Sequence, residues 1–133
     1  MTTHEPEHPY VGRHLIADFS GVDRALLCAG RQVTDKLVDV LTSAGFHVAD
    51  VRGHEFPGGG FTSLVLLTES HASLHSYPEL AYLALDLFSC GTADPKPVLD
   101  ELTAWLNPER CHTHWVDRGP TAPAAQLDSR PSA

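Results

Sequence analysis

Apolar and polar residues alternate along most of this chain. Over residues 10–19 the apolar positions Val11, Leu15, Ala17 and Phe19 fall on one side, the period-two pattern of a half-buried strand, with His14 and Asp18 in or beside it. The period then lengthens. Val33, Leu37, Val40, Leu41 and Ala44 recur at spacings of three and four, which predicts a helix with one buried face. Ser20-Gly21-Val22-Asp23 supplies a turn and a cap before it, and Gly45 a left-handed stop after it. Gly30 interrupts the first turns and leaves room for a separate short segment there. Residues 46–56 alternate again, as a strand with a bulge near Val51, and Pro57-Gly58-Gly59-Gly60 is a loop. Residues 61–68, 71–76 and 80–90 read as three more strands. Asp94-Pro95 opens a second helix, with cap residue then proline, and its stripe is Val98, Leu99, Leu102, Trp105 and Leu106. Asn107-Pro108 ends it, and residues 111–116 form a last strand.

Strands in the majority, interrupted by helices, predict an α+β fold. Its two-layer solution is a mainly antiparallel sheet with helices on one face. Residues 1–9 read as a loose, flexible leader and residues 10–118 as the folded domain. Residues 119–133, rich in Pro, Ala and Ser, read as a disordered tail.

Composition narrows the function. The chain of 133 residues is long enough for one domain. Its formal charge of −8 argues against nucleic acid, which needs a basic face, and suits a cationic small-molecule substrate. No apolar run approaches the ~20 residues that span a bilayer, and no signal-type apolar segment follows Met1, so a cytoplasmic protein away from membranes is expected. Cys28, Cys90 and Cys111 are odd in number and widely spaced, which fits a reducing compartment and not a disulfide framework. The only lysines, Lys36 and Lys96, sit in no motif, so pyridoxal chemistry has few candidates.

The stretch from Thr68 to Glu79 packs serines, histidines and two carboxylates into twelve residues behind an apolar run. Such density of nucleophilic and ionisable groups exceeds what a structural strand needs. A thiol, Cys90, follows the next strand. Cys111-His112-x-His114, with His71 and His75, matches no zinc-ligand frame, so no metal is expected. Ser70, His75 and Asp86 have the residue types of a hydrolase triad, but no GxSxG elbow surrounds Ser70. The glycine run lacks a phosphate-loop pattern and reads as conformational.

Five elements recur in order at fixed spacing: Gly12-Arg13-His14-Leu15 with Ala17-Asp18-Phe19; His54-x-Phe56; Glu69-Ser70-His71; His75-x-x-Pro78-Glu79; and Asp86-x-Phe88-x-Cys90-Gly91 with Asp94-Pro95. Together they resemble the bacterial S-adenosylmethionine decarboxylase family. The resemblance implies two protomers packed as an αββα homodimer, or a dimer of processed αβ units. It implies self-cleavage between Glu69 and Ser70, with Ser70 becoming a pyruvoyl cofactor that forms a Schiff base with the substrate amine. It implies His75 as the processing base, Thr62 as the hydroxyl that supports processing, and Cys90 as proton donor. Phe56, Tyr77 and Glu79 would bind substrate, with Tyr77 and Ser76 departing from the Trp and Thr usual there. S-adenosylmethionine, feeding polyamine (spermidine) synthesis, is the implied substrate. L-arginine or L-ornithine is the alternative within the family, and an uncleaved binding or regulatory homologue is the alternative of another class.

Overall fold

A computed structural model describes residues 11–120. The expected leader over 1–9, and the expected tail beyond residue 120, lie outside the described residues. Six strands form one antiparallel sheet: β1 (Gly12–Ser20), β2 (Val48–Glu55), β3 (Phe61–Leu67), β4 (Ser70–Tyr77), β5 (Tyr82–Ser89) and β6 (Arg110–Arg118). Their spatial order is β2-β3-β4-β5-β1-β6. The first strand therefore lies between two strands that come much later in the chain. Three helices join them: α1 (Arg24–Leu27), α2 (Gly30–Ser43) and α3 (Pro95–Leu106).

Alternation decides which side the helices cover. In β4, Ala72, Leu74 and Ser76 are buried, whereas His71, Ser73, His75 and Tyr77 are not. In β5, Leu83, Leu85, Leu87 and Ser89 are buried. These inward positions meet Leu37 and Leu41 of α2 and Val98 and Leu102 of α3 in one core. Each leucine fully buried there contributes roughly 1.5–3 kcal/mol. The opposite face of the sheet carries no helix among the described residues, and Leu64 and Leu66 of β3 stand on it more than half exposed. The α+β two-layer architecture is as the pattern predicts. Nothing in a single chain shows its pairing with a second copy.

The local signals act as their chemistry requires. The Asp23 side chain accepts from Ala25 N at 3.2 Å and caps α1, a separate short helix before Gly30. Asp94 caps α3 through Lys96 N at 3.0 Å, with Pro95 in its first position. The bulge falls between Val48 and Asp50, just before the expected place. Two readings change. Residues 49–55 of β2, the edge strand, are exposed on both sides, and a cavity opens between this strand and α2. Val11, expected on the inward side of the first strand, precedes it and is exposed.

Candidate active site

The residues expected to act together fall at the two ends of β4. Glu69 and Ser70 lie at one end, where the two-residue link Thr68-Glu69 joins β3 to β4. Ser70 pairs with Ser89 of β5, so the chain just after β5 returns beside the hairpin. The Ser70 hydroxyl accepts from the Cys90 backbone N–H at 3.1 Å. Glycine follows Cys90 for a spatial reason. A Cβ on Gly91 would lie 2.8 Å from Oε2 of Glu69, so a side chain there would displace that carboxylate. A cavity of ≈ 220 Å³ opens at this end, lined by Glu69, Ser70, Gly91 and the approach to β2 at Phe46 and His47.

The Cys90 thiol is pushed above its usual pKa. Partial desolvation is the larger cause and the Glu69 carboxylate the next, while the Arg118 guanidinium opposes both. Arg118 is itself held over the Phe88 ring, 4.9 Å from its centroid. At neutral pH the thiol is thus kept protonated, the form that can donate.

The other end of β4 holds Thr62, His75, Tyr77 and Glu79, with Phe56 from the loop after β2. Thr62 Oγ1 lies 3.0 Å from His75 Nδ1, a hydrogen bond whose donor depends on the imidazole tautomer. A cavity of ≈ 480 Å³ is lined by Phe56, Thr62, His75, Tyr77 and Glu79 together with the glycine loop. That loop is fixed from behind: at Gly59, with φ of +102°, a Cβ would lie 2.6 Å from Cys28 Sγ. The Ser76 hydroxyl is turned to the helix side, where it donates to Leu27 O at 2.8 Å and accepts from Phe61 N at 2.9 Å. Both departures in this motif, Ser76 and Tyr77, line the cavity, with the Ser76 hydroxyl engaged in these two hydrogen bonds.

Within one chain these two clusters do not meet. Five residues of extended strand separate Ser70 from His75, about 16 Å at a rise of ~3.3 Å per residue, and an odd separation puts them on opposite faces. A single protomer thus brings together Glu69, Ser70 and Cys90, and separately Thr62, His75, Phe56, Tyr77 and Glu79.

The fold also reveals polar partners that the sequence left unassigned. Tyr82 OH donates to Asp18 in a very short hydrogen bond. Its ring stacks on Tyr77 at 5.5 Å between centroids, and its pKa is pushed up to about 12 by burial first and by Asp18 second. His14 Nε2 lies 3.2 Å from Asp86 Oδ1, and its ring meets His71 and Phe88. The alternation of His14, Ile16 and Asp18 in β1 is the signal for these residues, since it sends both polar groups to the uncovered face. Thr34 and Ser63 share a hydrogen bond of 2.5 Å in the core, so Ser63 points away from His75, as parity requires. Among the described residues no group of three His, Cys, Asp or Glu side chains is arranged to hold a metal ion.

The donor set fits a group made from Ser70: a hydroxyl on a backbone donor, beside a carboxylate seated against a glycine, next to a protonated thiol. Comparison with known proteins gives the family. The family model described as S-adenosylmethionine decarboxylase matches residues 13–119. The S-adenosylmethionine decarboxylase proenzyme 2 of Bacillus cereus is 40% identical over 114 residues, which cover 85% of this chain and 93% of that protein. The S-adenosylmethionine decarboxylase proenzyme of Methanococcus maripaludis is 33% identical over 110 residues, 82% of this chain and 90% of that one. The crystal structure of the adenosylmethionine decarboxylase from Aquifex aeolicus superposes with a TM-score of 0.75 at 25% identity, covering 92% of this chain and 98% of that chain.

Proposed function

This chain belongs to the S-adenosylmethionine decarboxylase family and is a decarboxylase, a carboxy-lyase, and from that premise we propose that it decarboxylates S-adenosylmethionine after cutting itself between Glu69 and Ser70. The product is the aminopropyl donor of polyamine synthesis. The observation that carries this reading is the Ser70 hydroxyl held on Cys90 N–H beside the Glu69 carboxylate.

In the cut, Ser70 Oγ adds to the Glu69 carbonyl carbon and the amide nitrogen leaves it, turning the peptide bond into an ester. A base, His75, then removes the Cα proton of residue 70. The Cβ–O bond breaks and Glu69 departs as a carboxylate. Water replaces the nitrogen, which leaves as ammonia, and a pyruvoyl group remains at the start of the second fragment. That group supplies a carbonyl that takes up the substrate's amine and draws off the electron pair left when carbon dioxide departs. Cys90 returns a proton to the substrate's α-carbon. Glu79 accepts hydrogen bonds from the ribose hydroxyls, and Phe56 and Tyr77 offer aromatic faces to the adenine and the sulfonium cation.

The separation of the two clusters supports a homodimer. Two uncovered sheet faces stacked about a two-fold axis running across the strands lay the Ser70 end of one protomer against the opposite end of its partner. Ser70 opens β4 at the very end of the sheet, so the partner's Thr62 and the partner's His75 reach the 69–70 link around that end and serve the ester there. The partner's Phe56, the partner's Tyr77 and the partner's Glu79 complete the pocket.

The test is intact mass together with carbon dioxide release. Wild-type protein gives two fragments, and S-adenosylmethionine releases carbon dioxide where arginine and ornithine do not. Ser70→Ala gives one uncut, inactive chain. Active wild-type protein with an intact 69–70 peptide bond would overturn the proposal.

A further inference from the structure

We propose that Glu69 keeps a task after the cut: as the new carboxyl terminus beside Cys90, with a second carboxylate, it extends to higher pH the range over which that thiol stays in its donating form. This inference rests on the self-processing reading above.

The geometry places the new terminus. Glu69 follows β3 after one residue, Thr68, and β3 is paired to β2 and β4. Its side chain occupies the space that Gly91 leaves free, one residue from the thiol. Ser70, on the other side of the cut, is paired to Ser89, next to Cys90. The Ser70 hydroxyl oxygen, which accepts from the Cys90 N–H before the cut, leaves with Glu69 as part of the new carboxylate. Both ends made by cleavage therefore lie next to Cys90.

The charge count gives the direction. Before the cut, residues 69 and 70 are joined by a neutral amide. Afterwards Glu69 carries a second carboxylate. The nitrogen of residue 70 has gone as ammonia, so no new cation appears at the second fragment. The region gains one negative charge. The charged groups that act on Cys90 from the neighbouring elements are Glu69 from the hairpin and Arg118 from β6. Before cleavage one carboxylate is set against one guanidinium. After it two carboxylates are, while Arg118 stays stacked on Phe88. A second anion disfavours the thiolate, and only the thiol can donate to the substrate's α-carbon.

The experiment is alkylation by iodoacetamide across pH, quantified by mass spectrometry on the Cys90 peptide, so that Cys28 and Cys111 are read separately. The proteins are the processed wild type, uncut Ser70→Ala, and Glu69→Gln in each background. The wild-type midpoint is expected about half to one pH unit above that of Ser70→Ala, the pair being partly screened by solvent. Glu69→Gln lowers the midpoint in both backgrounds and moves the alkaline limb of kcat in the processed enzyme to lower pH by the same amount. A packing role for Glu69 would change the rate without moving that limb. Equal midpoints in fragmented wild type and uncut Ser70→Ala, or no shift with Glu69→Gln, overturn the inference and leave the processing reading standing. A single full-length mass for active wild type overturns both.

Discussion

At the scale of the residue, the proposed chemistry is divided between groups that make the site and groups that use it. Ser70 and Glu69 belong to the first class. Cys90 belongs to the second, since only its backbone touches Ser70. Cys90→Ala is therefore expected to yield the same two fragments while kcat falls by roughly 100-fold, the lower range for loss of a general acid. Mass spectrometry and carbon dioxide release read the two effects separately, and full turnover in the variant would remove the thiol from the mechanism. That Glu69, Ser70 and Cys90 lie together was legible as a grouping because each stands in a short motif bordering one hairpin or strand end. Asp18 and His14 were not, because their partners Tyr82 and Asp86 lie 64 and 72 positions away. Only the β1–β5 register brings those pairs together.

At the scale of the element, strand parity accounts for most of what was predicted and for what was not. Alternation buries the leucines of β4 and β5 and, by the same rule, turns Ser76 of β4 and Ser63 of β3 inward. The sequence could not tell that Ser76 would tie the end of α1 to the start of β3, since that needs the distance between two loops. It also gave no sign that β2 would be exposed along its length. The strand pair carrying Tyr77 and Tyr82 has a testable pH dependence. Tyr82 titrates near 12 in the fold, above its ordinary value of 10.0, because of burial and the Asp18 bond. With the folded pKa raised, its contribution to stability is complete below about pH 10 and is lost as pH rises through about 12. Denaturant melts between those limits should show the midpoint of wild type falling more steeply than that of Tyr82→Phe. Parallel curves would show that the Tyr82–Asp18 bond does not couple to folding. Because Tyr82 stacks on Tyr77, the same variant is expected to raise KM more than it changes kcat.

At the scale of the whole molecule, the proposed site draws on a second chain, because its two clusters lie about 16 Å apart within one. Ser70→Ala and His75→Ala are each expected to be inactive alone. Co-expressed, they pair at random, so about half of the dimers are mixed and each of these holds one intact site of two. Activity should return to about a quarter of wild type. No recovery would mean that each chain builds its site alone. Strands in the majority, interrupted by helices, made the fold class readable, but strand order was not, because nothing local in β1 says that it will insert between β5 and β6. That insertion has a consequence for the protein cut as proposed. The first fragment supplies β1, β2 and β3, and the second supplies β4, β5 and β6, so the two are interleaved across three ladders, β3–β4, β5–β1 and β1–β6. The fragments should co-elute under native conditions and part only on denaturation. Once parted, they must find each other again by collision, so the renaturation rate of the mature enzyme should scale with protein concentration from its earliest phase, whereas the uncut precursor forms the same three ladders within one chain.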